Sequence, residues 1–258
     1  MKQIKIKYYP VGWLKLAFSA KGAIPESWDE TTPKQIVALG CAANNSIGDV
    51  AFIAALTGIR KWVIKRLDNY QRFQLSEQLG FLSTSTLHNT FVIKQVTVGL
   101  VKYYAPKPKL KGMSFGQFIF VDSLFGSYQH EQSADELHRF LAALLLRNRK
   151  QFTEDCIEQN APVMAKLKPD VKEALVINYL LVKKWLVKSY PLVFPEPEET
   201  PESKKQEPPT YDPMAWAKIF ENLRGDDLAH EEKYSNLPVH TALRYITQRI
   251  KENIKRKK

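Results

Sequence analysis

The chain has 258 residues, of which 44% are hydrophobic and 25% are charged, and its formal net charge at pH 7 is +11. A chain of this length and composition can bury a sizeable core, which excludes a wholly disordered protein. Cys41 and Cys156 lie far apart and have no CxxC companion, which argues against a disulfide framework and against a zinc site. We therefore expect a soluble protein with reduced thiols.

Residues 1–30 are predicted to form an entry segment with strand character. Ile4, Ile6 and Tyr8 alternate with lysines, and Pro10 then interrupts the alternation. This pattern predicts an edge strand or one arm of a hairpin. The segment lacks the continuous apolar region of a secretory signal peptide.

Residues 31–194 are predicted to form a helical body, in which three helices occupy the part before Leu82. Thr32 caps the first helix and Gln35 completes a capping box, with a proline at the first helical position. The second helix is expected to end near Gly58, and an Asp68 capping box starts the third.

Two segments of this body allow more than one interpretation. The stretch 91–98 is rich in β-branched residues, which predicts a strand pairing with the N-terminal strand, although a helix is also compatible with it. In the stretch 60–66, Trp62 lies among four cations. The apolar positions there share one helical face, which favours packing of an amphipathic helix, with base stacking by Trp62 as the alternative.

The clearest helix start lies at residues 113–119. Ser114 with Gln117 reads as a capping box, and Met113 with Phe118 supplies the hydrophobic staple. A second capping box begins at Ser133, and apolar residues from 137 to 145 follow at helical spacing on one face.

A long helix is predicted from Pro169 to about Tyr190. It is apolar over most of its circumference, which predicts a position at the centre of its domain. Asn178, Lys183 and Lys184 interrupt the apolar run, so the segment falls short of a membrane span.

A proline- and glutamate-rich stretch at 195–210 divides the chain into a body and an appendage. Such a composition cannot bury enough apolar surface to offset its ordering entropy, which predicts a flexible linker. The appendage, residues 211–258, is predicted to be a pair of amphipathic helices with a basic tail. It is small for an independent fold, so we expect it to dock on the body, on another copy or on a partner.

Much of the net charge lies at the C-terminal end. From Arg244 to Lys258 seven residues are basic and Glu252 alone is acidic. A solvated helix end, favoured by the helix dipole, explains such a tail. The alternative is contact with phosphate groups or an acidic partner, through Arg249, Lys251, Lys255, Arg256, Lys257 and Lys258.

No residues with the spacing of a catalytic, cofactor-binding or metal-binding site occur in the sequence. The five histidines show no HExxH spacing, and no glycine-rich phosphate loop is present. The acids of residues 226–232 lie close to His230, but a solvated turn is favoured over a cation site there. We predict a protein that is not an enzyme.

Several of these segments together carry a family resemblance: Ile24–Gln35, Leu67–Asp68, Met113–Phe118, the helix at 137–146 and the C-terminal helical pair that begins with Trp216. In this order they resemble an uncharacterised family encoded in tail-morphogenesis regions of Bacteroidetes phages and prophages, which is similar in arrangement to tail assembly chaperones. The resemblance covers most of the chain from Ile24 onward. It implies no chemistry.

The resemblance implies a non-enzymatic tail assembly factor that binds a tape measure or tail tube protein. It would act in the host bacterial cytoplasm, with or without incorporation into the virion. A nucleic-acid-binding module that uses the basic tail, and a structural virion component such as a connector, are the alternatives. Amphipathic helices bind partner helices through their apolar stripe, which here predicts contacts by Trp216, Ile219, Phe220, Leu223, Leu243 and Ile250.

The predicted fold is therefore mainly α. It comprises an irregular multi-helix body with a small N-terminal β element, followed by a flexible linker and a C-terminal amphipathic helical pair.

Overall fold

The computed structural model describes residues 1–10, 16–83, 87–148, 151–195, 212, 214–225 and 227–256. These residues contain helices α1 (Pro33–Ala43), α2 (Asp49–Thr57), α3 (Lys61–Arg66), α4 (Asn69–Glu77), α5 (Phe115–Glu131), α6 (Ala134–Leu144), α7 (Asp155–Met164), α8 (Pro169–Ser189), α9 (Ala215–Arg224), α10 (Glu231–Ser235) and α11 (Val239–Arg256). The strands are β1 (Lys2–Tyr8), β2 (Phe18–Ile24), β3 (Gln95–Val98), β4 (Val101–Tyr104) and β5 (Leu146–Arg147). The predicted mainly α fold with a small N-terminal β element and C-terminal helices is confirmed.

The chain forms two compact units. The first contains residues 1–93 and 168–182, and the second contains residues 94–167 and 183–258. Helix α8 contributes to both units because its first part belongs to the first unit and its last part to the second. Residues 196–211, which hold nearly all of the predicted linker, lie outside the described residues.

In the first unit, β1 and β2 form an antiparallel hairpin whose register pairs Lys2 with Ile24 and Tyr8 with Phe18. Ile4, Tyr8 and Ile24 are buried. The alternation that predicted a strand here therefore places every other residue in the core, as the period of two requires.

The helices of the first unit begin where the capping signals predicted. Thr32 and Asp68 both form complete capping boxes. Four helices rather than three occupy this region, and α3 is the additional one. Gly58 ends α2 in a left-handed conformation with φ of 70°, and the extended backbone of Leu67 separates α3 from α4.

Helix α8 is buried on almost every side between residues 174 and 179, which agrees with its apolar circumference. Its one fully buried amide side chain, Asn178, is used for structure. The Asn178 Oδ1 atom accepts hydrogen bonds from the backbone N–H groups of Val92 (2.9 Å) and Ile93 (3.1 Å). These backbone donors would otherwise be buried without a partner.

In the second unit, β3, β4 and β5 form an antiparallel sheet in that order. The prediction that the stretch 91–98 pairs with the N-terminal strand is wrong, because β3 pairs with β4 across the two-residue turn Gly99–Leu100. Gly99 has φ of 60°, a value that glycine adopts without steric cost. Pairing with the adjacent strand also closes the shortest loop, which costs the least chain entropy.

Helix α5 begins at the predicted cap. The Ser114 Oγ atom accepts a hydrogen bond from the N–H of Gln117, whereas the Gln117 side chain donates to the carbonyl of Ala143 on α6. Half of the predicted capping box is therefore replaced by a tertiary contact. Among the described residues, no helix combines the length and the apolar character that crossing a membrane requires.

Candidate partner-binding site

The C-terminal helices of the second unit dock on the start of α5. The N–H of Phe115 donates to the carbonyl of Leu237 at 2.7 Å, and the N–H of Val239 donates to the carbonyl of Met113 at 3.1 Å. Ser114 and Pro238 form an isolated antiparallel bridge between the same two segments. Of the three docking possibilities for the appendage, the structure therefore shows docking on the body.

Trp216 of α9 anchors this docking. Its indole is 7% exposed and packs edge-on against Phe115 and Phe118, with ring centroids 6.0 Å and 5.0 Å away. Phe194 makes a third edge contact at 5.8 Å. Edge-to-face aromatic pairs of this kind add stabilisation beyond the area that they bury.

The polar edge of the same indole meets a buried carboxylate. The Trp216 Nε1–H donates to Asp122 Oδ2 at 2.8 Å, and Lys183 Nζ lies 2.8 Å from Asp122 Oδ1. A buried charge is tolerated only when it is paired and hydrogen-bonded. The carboxylate therefore fixes the orientation of the indole as well as its depth.

Gly116 allows α10 to approach α5 closely. A Cβ atom at this position would lie 2.1 Å from Ser235 Oγ and 3.3 Å from Ser235 Cβ. The first turn of α5, which the sequence identified by its cap, is thus a docking surface for the C-terminal segment of the second unit.

A groove lies between α9 and α11 on the outside of this docked segment. It has a volume of about 350 Å³ and is lined by Val193, Ile219, Asn222, Leu223, Ile246, Arg249, Ile250 and Asn253. Arg249 Nη1 donates to the carbonyl of Asn222 at 3.0 Å, and its guanidinium lies over the ring of Tyr245. Arg249 is therefore held in place among the side chains that line the groove.

The six predicted partner-binding residues divide into two groups. Trp216, Leu223 and Leu243 are buried in the second unit. Ile219, Phe220 and Ile250 are half-buried, and the groove brings Ile219 and Ile250 together. The docked helices thus turn part of each amphipathic stripe inward and leave a second part accessible.

The basic tail lies along the exposed surface of α11. Lys251, Lys255 and Arg256 are exposed, and the described residues provide no ion-pair partner for any of them. Glu252 accepts a hydrogen bond from Gln248 instead. Lys257 and Lys258, the last two residues of the predicted contact set, lie outside the described residues.

The polar side chains of the acidic turn between α9 and α10 form hydrogen bonds with one another. His230 Nδ1 lies 2.8 Å from Asp227 Oδ1, and the Tyr234 hydroxyl donates to Asp227 Oδ2 at 3.2 Å. The hydrogen bond with His230 lowers the pKa of the Asp227 carboxyl. Asp226 lies outside the described residues, and among those that are described no three His, Cys, Asp or Glu side chains could hold a metal ion.

Sequence reasoning missed a second groove of this unit, of about 640 Å³, where Tyr190 and His240 meet. The Tyr190 hydroxyl lies 2.8 Å from His240 Nδ1, and Trp185 packs edge-on against the imidazole. Burial raises the pKa of the Tyr190 phenol. The two partners are 50 residues apart, so no local pattern could have revealed them.

Comparison of the chain with protein-family models, with curated proteins and with solved structures found no match. The geometry of the groove and the residues around it are therefore the basis for a functional proposal, together with the resemblance described above.

Proposed function

We propose that the protein is a non-enzymatic phage or prophage tail assembly factor that binds a helix of another tail protein in the groove between α9 and α11. The observation that carries the proposal is the groove itself. It combines half-buried isoleucines with a fixed arginine and lies on helices that are already docked.

The groove has the spacing that a partner helix requires. Ile246, Arg249, Ile250 and Asn253 of α11 line it at successive helical positions, while Ile219 and Leu223 of α9 form the facing wall. Residues 246 to 253 span about 10 Å along the helix axis. This length matches about two turns of an amphipathic helix laid into the groove.

The charge around the groove defines the partner further. Arg249 lines the groove, and Arg256 lies two turns further along nearly the same side of α11, whereas Lys251 and Lys255 project from the opposite side. Opposite charge across an interface increases the rate of association and suppresses wrong partners. The groove therefore suits a helix with an apolar stripe and an acidic side chain near Arg249.

A tape measure protein is the partner that fits the resemblance best. Tail assembly chaperones are thought to hold this aggregation-prone protein until tail tube subunits polymerise around it. Binding an exposed apolar stripe requires no catalytic group, in agreement with a site lined by aliphatic side chains, two asparagines and one arginine.

The test is a binding titration between the purified protein and the tape measure protein encoded nearest to its gene. Ile250→Glu places a charge in the groove, and Gln248→Glu adds the same charge to α11 outside the residues that line the groove. We expect Ile250→Glu to weaken binding at least about tenfold, because a carboxylate must be desolvated there, and Gln248→Glu to change it little. Equal affinity of both variants for the partner would refute the proposal.

Truncation at the linker is a poorer test. Removal of residues 211–258 would also expose Phe115 and Phe118, which Trp216 covers. A new apolar surface of that kind can bind proteins non-specifically. The substitutions in the groove avoid this difficulty.

The alternative functions predict different outcomes. A nucleic-acid-binding tail predicts retention on DNA at low salt that is lost when Lys251, Lys255 and Arg256 are changed to glutamine. A structural virion component predicts that the protein is present in purified particles at fixed stoichiometry.

A further inference from the structure

In the first unit, the β1–β2 hairpin and helix α3 both carry many basic residues. The stretches 2–8, 18–24 and 60–66 contain no acidic residue. Their basic side chains are all exposed, namely Lys2, Lys5, Lys7, Lys21, Arg60, Lys61, Lys65 and Arg66. We call the exposed side of α3, with Lys61, Trp62, Lys65 and Arg66, and the neighbouring ring of Phe18 the cationic surface.

The hairpin holds two like charges directly opposite each other. Lys5 pairs with Lys21 in the antiparallel register, and both side chains are exposed. Like charges at such a cross-strand pair destabilise a sheet. Because side chains alternate along a strand, this pair projects from the face of the hairpin opposite to the buried Ile4 and Tyr8.

Helix α3 adds an exposed tryptophan to these cations. Residues 61, 62, 65 and 66 share one helical face, whereas Val63, Ile64 and Leu67 are buried on the opposite one. Trp62 is 46% exposed. Packing therefore uses the aliphatic residues of this helix and leaves a large part of the indole accessible.

The rings around Trp62 hold it in a defined position. Tyr8 is buried, and its ring lies 5.4 Å from Trp62 at 79° and 6.2 Å from Phe18. Phe18 is itself 50% exposed. One buried ring thus supports two accessible aromatic rings beside the cations of α3.

We propose that the cationic surface binds single-stranded nucleic acid. Lys61, Lys65 and Arg66 contact the phosphates, and bases stack on Trp62 and Phe18. Proteins that bind single strands without sequence preference combine these two features, because every base has a face that stacks and every nucleotide carries a phosphate. The surface shares no residue with the groove between α9 and α11, so the proposal does not depend on the proposed tail-assembly function.

The same geometry disfavours duplex binding. Bases in a duplex are stacked on one another, so an exposed indole cannot reach their faces. Helix α3, which carries the cations of this surface, has only 6 residues and is short for insertion into the major groove. Only unpaired bases can stack on the exposed indole of Trp62, so we expect the ligand to be single-stranded.

The test measures binding of a fluorescently labelled oligothymidylate of about twelve nucleotides, and of a blunt duplex of the same length, by anisotropy between about 50 and 200 mM salt. Trp62→Ala should weaken binding of the single strand about 5- to 100-fold, and Trp62→Phe should restore most of the affinity. The triple variant Lys61→Gln, Lys65→Gln, Arg66→Gln should reduce the slope of log K against log salt by about 2.

A matched control removes the same number of charges from the other basic region. Lys251→Gln, Lys255→Gln, Arg256→Gln lies on α11 and should leave oligothymidylate binding unchanged. A thermal melt of each variant shows whether it is folded, and both the half-exposed Trp62 and the exposed cations should tolerate replacement.

Four results would overturn the proposal. They are wild-type affinity in both Trp62→Ala and the α3 triple variant, loss of binding in the α11 control alone, tighter binding of the duplex than of the single strand, and no binding of either oligonucleotide. Vesicles containing phosphatidylserine are tested in parallel. Trp62-dependent binding to vesicles without oligonucleotide binding would identify a membrane surface as the ligand instead.

Discussion

Replacement of Trp216 by alanine tests how the C-terminal helices are held. The substitution deletes a buried indole that packs against Phe115 and Phe118, and removals of this kind cost about 3–5 kcal/mol. Asp122 also loses its Nε1–H donor, which adds about 1–3 kcal/mol, although Lys183 still pairs with the carboxylate. The state in which the C-terminal helices are docked on α5 should therefore lose at least about 3 kcal/mol of stability relative to the undocked state.

Native-state hydrogen exchange reads this loss directly. The N–H groups of Phe115 and Val239 form the backbone hydrogen bonds between the two docked segments. A loss of 3 kcal/mol in local opening free energy corresponds to at least about 100-fold faster exchange at these two amides. Trp62→Ala is the matched control, because it deletes an indole that is 46% exposed in the first unit. Unchanged exchange of Val239 in Trp216→Ala would refute the role assigned to this side chain.

Three further predictions concern other positions. Asn178→Leu should lower the free energy of unfolding by about 2–4 kcal/mol in a urea titration, because it removes the acceptor of the buried Ile93 N–H and of the partly buried Val92 N–H; a loss below about 1 kcal/mol would contradict this. Gly40→Ala should lower the free energy of unfolding by about 1–3 kcal/mol in the same assay, because the added Cβ would lie 2.3 Å from a carbonyl oxygen of α8. Gly80→Ala is the control, because a Cβ atom at that position has no neighbour within 4 Å. Burial raises the pKa of the Cys156 thiol, so its reactive thiolate forms only at higher pH. The rate of alkylation of Cys156, followed by mass spectrometry at different pH values, should therefore have its midpoint above the usual thiol pKa of about 8.5.

Helix starts were predictable because their signals are local. The capping boxes at Thr32 and Asp68 are complete within four residues, and both helices begin there. The hairpin of β3 and β4 also had a local signal, the glycine turn at Gly99–Leu100, which would have favoured pairing within the segment over pairing with β1.

The docking of the C-terminal helices was not predictable in the same way. Trp216 meets Asp122 across 94 positions of the chain, and neither residue has a local pattern that specifies the other. The amphipathic stripes of α9 and α11 could be predicted from their spacing. Leu223 and Leu243 of these stripes are buried, whereas Ile219 is half-buried. This difference depends on which face of each helix packs against its neighbours, which only the tertiary structure determines.

The proposed function requires that the groove between α9 and α11 holds an apolar helix of the tape measure protein. The direct measurement is light scattering after that protein is diluted from denaturant into buffer containing equimolar wild-type protein, Ile250→Glu or Gln248→Glu. We predict that the wild type and Gln248→Glu suppress aggregation and that Ile250→Glu does not. Aggregation at the same rate with all three proteins, or equal suppression by all three, would contradict the proposed function.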